Sequence, residues 1–469
     1  MNSQINRLHI RDAGTIFLGF TLFILAHPAG AQPVDVPPTW GGSFTDRPRL
    51  TGNWGGLRDE MGKKGVVLDI DLTQGVGGVV SGGRNDGDAQ YGGLAEYTLH
   101  LDTQKMGLWP GGFLNVQGMT NYEDNVNFDS GAFIPPDFAG ILPEGKDVSG
   151  LMSLMFMQFF STKFGVFAGK ISGLAADDNA FAHNYHTQFM NTGLNLNMAL
   201  DLFPFTSFGG GLVFLPWEGA VFTASAIDPH GSATNNDIGD AFEDGVVAGG
   251  EGRITIKPSG LVGHQTLGVA WSNADRLSLR QDPFNVARLL LTENFPRLGE
   301  IIDHLLEING ITPPPVVPLN TEDSTWAVYY NFDQYLWSPA GQPDEGIGIF
   351  FRFGAADKDT SPVQYTYNFG IGGKGIVPGR PFDSFGIGWS RVEISDDFVS
   401  FLRDKFDLGL DHEDAVEMYY NASLTRWLDA AFDVQVIDSA LNKTLDSSTL
   451  KLDDMDTSVV LGLRVYARF

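Results

Sequence analysis

The final stretch of the chain, Asp456–Phe469, reads D-T-S-V-V-L-G-L-R-V-Y-A-R-F. Every second residue from Val459 to Phe469 is apolar, whereas the residues between them include Arg464 and Arg468. Because successive side chains of a strand point to opposite faces, this pattern predicts an amphipathic β-strand with one unbroken apolar face. Such a strand must pair both of its edges, and closing a sheet into a barrel provides both partners.

A strand that ends in phenylalanine, here Phe469, is typical of bacterial outer-membrane barrels. We therefore expect the apolar face to contact outer-membrane lipid and the arginine-bearing face to line a wet lumen. We also expect the barrel-assembly machinery to bind this terminal strand. The expected location is the outer membrane of a Gram-negative bacterium.

The composition suits a protein with an apolar outer surface and a polar interior. Charged residues make up only 19% of the 469 residues, whereas aromatic residues make up 12%. The chain has no cysteine, which excludes disulfides, thiolate nucleophiles and cysteine-ligated metals. Its net charge of −27 argues against a nucleic-acid partner, because phosphate binding requires a basic surface.

The N-terminal segment 1–31 has the features of a secretory signal peptide. Arg7 and Arg11 precede the apolar run Thr15–Ala26, and Ala29–Ala31 provides the small residues of a cleavage site. The apolar run is shorter than the ~20 residues that a membrane-spanning helix needs, and no later run reaches ~18. The sequence therefore predicts an exported protein without transmembrane helices.

Two further regions follow the signal peptide. Residues 32–65 begin with a proline-rich segment and continue into a predicted short periplasmic helix, with Asn53 as its N-cap and Gly65 as its C-cap. Residues 66–469 contain sixteen strand-like runs and form the predicted transmembrane domain, an all-β closed antiparallel barrel that is wide enough for an aqueous channel. The runs are 66–73, 96–102, 113–120, 151–161, 163–171, 207–217, 219–228, 249–258, 264–273, 324–337, 346–357, 363–373, 383–395, 414–427, 429–439 and 456–469.

Two interruptions between these runs are too long for turns. The segment 172–206 is polar and rich in asparagine. The segment 275–323 contains a predicted helix at 297–309, where leucine and isoleucine recur at helical spacing. We expect such long loops either to fold inward and narrow the pore or to cap it from outside.

No motif in the sequence predicts catalysis. Gly370, Gly372 and Gly375 match a dinucleotide fingerprint, but the following I-V-P-G-R-P indicates a turn rather than the helix that would bind a pyrophosphate. His183 and His186 lie in a polar loop, where we expect solvated side chains rather than a metal site. The sequence therefore predicts no catalytic residue, no cofactor, no metal and no enzyme activity.

The predicted wet face carries acidic, basic and aromatic side chains. Sugars stack on aromatic faces and form bidentate hydrogen bonds with arginine and carboxylate groups. A lumen lined in this way therefore favours polyols. The alternative is that these groups form salt bridges within the barrel wall and do not affect solutes. The candidate solute-binding residues, chosen for lumen-facing parity or for their place in a motif, are Glu96, Asp333, Arg352, Lys374, Arg380 and Arg464.

Several segments together resemble the carbohydrate-selective (OprB-type) porins of Gram-negative outer membranes. Leu50–Arg58 is similar to the opening of that family, and Phe181–Thr192 resembles its first long polar loop. Tyr330–Trp337, Gly346–Gly354 and Gly370–Arg380 match the family most closely. The residues that fit its penultimate hairpin are Glu417, Tyr419, Tyr420, Trp427, Asp433 and Gln435.

The resemblance implies a sixteen-stranded barrel that passes monosaccharides, notably glucose, by facilitated passive diffusion. The expected partners are carbohydrates and outer-membrane lipid, and the sequence leaves a homo-oligomer open. Three alternatives are a general diffusion porin, a soluble secreted lectin or glycosidase, and an adhesin without a pore. A general diffusion porin would show conductance that sugar does not affect. A soluble lectin or glycosidase would be extracted without detergent, and an adhesin without a pore would show no conductance.

Overall fold

The computed structural model describes residues 36–281, 318–343, 345–397, 411–446 and 451–469. The predicted signal peptide at 1–31 and the predicted helix at 297–309 lie outside these ranges. No helix in the described ranges is both long enough and apolar enough to cross a membrane.

Sixteen antiparallel strands form one closed barrel in which each strand pairs with its neighbours along the chain. This confirms the predicted strand number and the all-β class. β16 closes the barrel against β1, with Asp71 opposite Arg468. The strands are β1 Val66–Ser81, β2 Ala89–Asp102, β3 Gly112–Glu123, β4 Ser149–Ser161, β5 Phe164–Ser172, β6 Thr206–Phe214, β7 Ala220–Ile227, β8 Val247–Ile256, β9 Gly263–Ser272, β10 Thr325–Trp337, β11 Gly346–Ala356, β12 Val363–Lys374, β13 Ser384–Ile394, β14 His412–Thr425, β15 Leu428–Asp438 and β16 Ser458–Arg468.

β1 and β2 are longer than the alternation of apolar residues indicates. Their ladder continues past residue 73 through glycines, with Gly75 opposite Gly92 and Gln74 opposite Gly93. Glycine has no side chain to mark a face, so the period of two disappears from the sequence while the hydrogen-bonded pairing continues.

The two faces of the strands have the predicted polarity. On β16, Leu463 is 53% exposed, whereas its neighbour Arg464 is 3% exposed and points inward. The outward apolar side chains form the band that faces lipid in a barrel of this kind. Further members of this band are Leu267, Val269, Phe369, Ile371, Ile387 and Phe432.

Helices are few and short in the described part of the chain. The predicted periplasmic helix is present as α1, Leu57–Lys63, but both predicted caps are wrong: the N-cap is Gly56 rather than Asn53, and the C-cap is Lys64 rather than Gly65. The amide of Asn53 donates instead to Asp59, 3.1 Å away, and its backbone carbonyl accepts from the Gly56 and Arg58 amides. Other short elements include helices α2 Asn127–Ser130 and α3 Thr192–Asn195, and the two-stranded pairs Arg276–Leu277 with Thr321–Glu322 and Lys443–Asp446 with Lys451–Asp454.

The N-terminal segment braces the seam between β1 and β16. Arg58 is 2% exposed, and its Nη2 donates to the carbonyl of Leu68 at 2.8 Å, to Asp69 at 2.8 Å and to the carbonyl of Phe469 at 3.0 Å. Arg49 forms ion pairs of 2.9 Å with Asp69 and with Asp71. Both arginines therefore tie the segment before the barrel to its closing strands.

Short turns and long loops lie at opposite rims of the barrel. The rim that holds α1 and Phe469 has turns such as 162–163 and 426–427, and it is the periplasmic rim because turns on that side of outer-membrane barrels are short. The other rim carries the β3–β4 loop (124–148), the β5–β6 loop (173–205) and the β7–β8 loop (228–246).

The prediction of two long interruptions missed the β3–β4 loop. This loop carries Phe133, Ile134 and Phe138, which are buried inside the barrel together with Met198 of the β5–β6 loop. The gap between the predicted runs 113–120 and 151–161 matches this loop, but its apolar side chains are unusual in a solvated loop and do not indicate one. The main hydrophobic core consequently lies within the lumen, between loops and wall.

Candidate pore constriction

The β5–β6 loop enters the lumen and packs against inward-facing glycines of the wall. A Cβ atom on Gly348 would lie 2.3 Å from the Phe181 ring, and one on Gly372 would lie 2.7 Å from the Phe181 Cβ. Real Cβ atoms do not approach other atoms so closely, so these positions accept only glycine while Phe181 stays in place. The glycines of β11 and β12 thus form a surface shaped for this loop.

Arg352 fixes the loop from the wall of β11. Its Nε lies 2.7 Å from Oδ2 of Asp177, and both side chains are completely buried. Its remaining nitrogens donate to the backbone carbonyls of Leu194 at 2.8 Å, of Asp177 at 3.1 Å and of Ala182. Arg352 therefore points into the lumen as predicted, but it holds the loop rather than facing open space.

β10 supplies a second set of contacts to the same loop. Asn331 donates to Oδ1 of Asp177 at 2.7 Å and accepts from Asn179 at 2.7 Å. Asp333 is 1% exposed, lies 2.8 Å from Nδ1 of His264, and accepts a long bond of 3.5 Å from the Ala180 amide. The predicted site residue Asp333 is thus shared between wall and loop.

Glu96 holds the middle of the loop from β2. It accepts from the Tyr185 hydroxyl at 2.9 Å and lies 2.9 Å from Nε2 of His186. Nδ1 of His186 is bonded to Thr73 at 2.8 Å, and its ring stacks on Tyr466 with centroids 4.4 Å apart. Both ring nitrogens of His186 are therefore engaged by the wall, and the expectation of a solvated side chain is wrong for this residue.

Arg464 completes the contacts on β16. It is 3% exposed and donates to the backbone carbonyl of Gln188. Glu417 on β14 accepts from the amides of Met190 and Asn191, the latter at 2.9 Å. The loop is consequently held by charged groups from opposite parts of the wall.

The β3–β4 loop is bound by β14 and β15, nearer the extracellular rim. Glu413 on β14 accepts from the amides of Phe133 at 2.6 Å and Ile134 at 2.8 Å. Gln435 on β15 donates to the carbonyl of Pro136 at 2.9 Å and accepts from Asn191 at 3.1 Å. Gln435 thereby connects the two loops that fill the lumen.

Two cavities lie on either side of these contacts. The periplasmic one has a volume of about 450 Å³ and is lined by Lys374 and by Gln188 of the β5–β6 loop. The extracellular one, of about 40 Å³, is lined by Arg464, Asp137 and Met190. Because Arg464 bonds to the carbonyl of Gln188, this contact lies between the two cavities and marks the narrow part of the lumen.

Arg380 is placed differently from the other candidates. It lies in the periplasmic turn between β12 and β13, where its Nε is 2.8 Å from Asp383 and it lines neither of the two cavities described above. The hydrogen bond to Asp383 raises the pKa of Arg380. The G-x-G-x-x-G motif runs from β12 into this turn, as the proline-containing continuation predicted.

Sequence reasoning missed several residues that hold the loops. Asn331, Asn368, Glu413 and Gln435 are all buried, and Asn368 donates to the carbonyl of Gly193 at 2.7 Å. Their inward parity could have identified them as lumen-facing residues, but their loop partners lie far away along the chain. In the described ranges, no three His, Cys, Asp or Glu side chains converge to form a metal site.

Comparisons with known proteins agree with this architecture. Residues 86–469 match the family model described as carbohydrate-selective porin, OprB family. Porin B of Pseudomonas aeruginosa is 26% identical over 173 residues, which are 34% of this chain and only 36% of that relative.

Solved structures of OprB from Pseudomonas putida have the same fold. The high-pH structure gives a TM-score of 0.73 at 20% identity, covering 91% of this chain and 100% of that one. The low-pH structure gives 0.52 at 16% identity, with coverage of 91% and 99%. The chain belongs to the OprB family of carbohydrate-selective porins, β-barrel proteins of the Gram-negative outer membrane.

Proposed function

We propose that this protein is a passive channel for carbohydrates, and that monosaccharides such as glucose are its solutes. The observation that supports this most is the β5–β6 loop, which charged wall residues hold across the lumen between two cavities. A constriction of this kind forces a solute to exchange its water for protein hydrogen bonds. Family membership supports the carbohydrate class, and the choice of glucose is our inference.

The residues that we assign to the constriction are those at the contact between the cavities. Arg464 provides a guanidinium there, and Glu96, which holds Tyr185 and His186 of the loop, provides carboxylate acceptors. Arg464 bonds to the loop backbone, and Glu96 bonds to the side chains of Tyr185 and His186. These bonds leave N–H groups of Arg464 and lone pairs of Glu96 for a passing hydroxyl. We assign Arg352 to the support of the loop, because it has no exposed surface.

Conductance measurements test the proposal. The mature chain is refolded, inserted into planar bilayers and titrated with glucose, with sucrose solutions of equal viscosity as the control. We expect single-channel conductance to fall with glucose and to saturate, because a binding site can be filled. Conductance that follows viscosity alone for both sugars would show a general diffusion porin and overturn the selectivity.

A further inference from the structure

The periplasmic cavity contains a row of polar side chains that crosses five strands. Lys374 on β12 lies opposite Ser384 on β13, and Ser384 lies opposite Asn421 on β14. Asn421 donates to Asp429 on β15 at 3.3 Å, and Arg468 on β16 forms an ion pair with Asp429. All five line the cavity, and directly opposite residues of neighbouring strands are about 5 Å apart.

Positive charge predominates among the side chains that line this cavity. Three basic side chains line the cavity, Lys374, Arg426 and Arg468. Asp429 is the one carboxylate in its lining, and His264 also lines it. Asp429 is paired with Arg468, and His264 with Asp333 outside the lining. Within the described ranges, Lys374 and Arg426 have no carboxylate partner, although the chain as a whole carries a net charge of −27.

The row also offers groups that recognise hydroxyls. Asn421 is 2% exposed, and within the described part of the protein its Oδ1 has no hydrogen-bond donor. The Ser384 hydroxyl donates to the carbonyl of Thr187 at 3.1 Å, so its oxygen still accepts. A buried acceptor without a donor is costly, and a sugar hydroxyl would satisfy it.

From these observations we propose that the periplasmic cavity is an exit subsite for monosaccharides that carry a carboxylate, such as uronic acids. Lys374 and Arg426 would bind the carboxylate, and Asn421 and Ser384 would bind ring hydroxyls. The volume of about 450 Å³ lies within the roughly 300–1,000 Å³ of small-molecule sites. The inference rests on the proposed function, because it assumes that sugars pass the constriction.

The acidity of the rest of the chain does not oppose this assignment. The extracellular loops carry acidic residues such as Asp237, Asp240 and Glu243, but they lie at the opposite rim. The two rims are separated by an apolar band about 25 Å tall, which is roughly three times the ~8 Å screening length at physiological salt. The carboxylates nearer the cavity are paired: Asp71 with Arg49, Asp333 with His264 and Asp383 with Arg380. An anion in the periplasmic cavity therefore responds mainly to Lys374 and Arg426.

The test compares glucuronate with glucose as blockers of single-channel current at constant ionic strength. The variants are K374Q, R426Q and, as a matched control, K257Q, which removes a lysine from a periplasmic turn that does not line the cavity. We expect glucuronate to bind the wild type more tightly than glucose does. Either cavity variant should weaken glucuronate about tenfold, the equivalent of 1.4 kcal/mol, and K257Q should not.

Two outcomes overturn the inference. In one, glucose saturates but glucuronate binds no more tightly, and in the other K374Q and R426Q bind glucuronate as the wild type does. If neither sugar saturates, the proposed function itself fails. The measurement with glucose thus distinguishes failure of this inference from failure of the proposed function.

Discussion

Arg352 on β11 and Asp177 of the β5–β6 loop form an ion pair with 2.7 Å between Nε and Oδ2, and neither side chain is exposed to solvent. Arg352 also donates to the carbonyls of Leu194 and Ala182, which belong to two later parts of the same loop. A single wall residue therefore contacts three parts of the loop.

Replacing Arg352 by methionine should release the β5–β6 loop. The substitution should lower the free energy of unfolding by about 3–5 kcal/mol, because it leaves the Asp177 carboxylate buried without its partner. The double variant R352M/D177N should recover part of this loss. Thermal unfolding in detergent measures the stability, and single-channel recordings should show a higher conductance.

The matched control is Arg391→Met, which breaks a partly exposed pair with Asp414. That change should cost less than about 1 kcal/mol and leave conductance unchanged, because exposed ion pairs contribute little. Equal conductance and equal melting temperature for R352M and the wild type would contradict the anchoring role.

Gly372→Ala should disturb the β5–β6 loop by crowding it, whereas R352M releases it. The added methyl group would lie 2.7 Å from the Phe181 Cβ, and overpacking of this kind typically costs about 1–3 kcal/mol. In an F181G background, which lacks both the Cβ atom and the ring, G372A should cost less than it does beside Phe181. Gly75→Ala is the control, since the nearest atom to its Cβ would be a carbonyl oxygen 3.8 Å away. Melting curves that do not distinguish G372A from G75A would count against this packing.

Lys170→Met should loosen the β7–β8 loop. The ammonium group of Lys170 donates to the carbonyls of Ser232 and Asn235 at 2.8 Å each and to the Asn236 side chain at 2.7 Å. Hydrogen bonds to a charged group contribute about 1.5–3 kcal/mol each, so the loop should lose most of its attachment. Hydrogen exchange followed by mass spectrometry should show faster exchange at 228–246. Unchanged protection there would mean that the loop is held by other contacts.

The attachment of the N-terminal segment should weaken in acid. The backbone amide of Trp40 and the hydroxyl of Thr39 donate to the Asp59 carboxylate at 2.8 and 2.7 Å, and these bonds hold the pKa of Asp59 below 3.8. Because the folded-state pKa is the lower one, the stabilisation is complete above the unfolded pKa and is lost as pH falls through the folded one.

This titration can be followed in protein labelled with ¹⁵N-tryptophan. The Trp40 amide signal, assigned by comparison with W40F, should shift with a midpoint below pH 3.8, and the shift should be absent in D59N. A midpoint at or above 3.8 would show that the carboxylate gains nothing from these bonds.

Much of the barrel could be predicted from sequence because its signals are local. Leu463 and Arg464 are neighbours in the chain and face lipid and lumen, respectively, so parity alone assigns them. The same parity placed Glu96, Asp333 and Arg352 inside. It failed where side chains are absent, as at Gly75 and Gly92, which extend β1 and β2 beyond the visible alternation.

The partners of those interior residues could not be predicted in the same way. Arg352 and Asp177 are 175 residues apart, and no periodicity relates a strand to a loop at that distance. Asn53 shows the same limit at short range, since its side chain bonds to Asp59 rather than capping α1.

The sequence by itself determined the number of strands, the face that meets lipid and the residues that point inward, because alternation along a strand is set by backbone geometry. Only the tertiary structure decided that inward charges such as Arg352, Arg464 and Glu417 bind loop backbone, and that Lys374 faces a cavity instead. The physical reason is that a buried charge requires a partner, and closure of the barrel brings loops into reach that are distant in the chain.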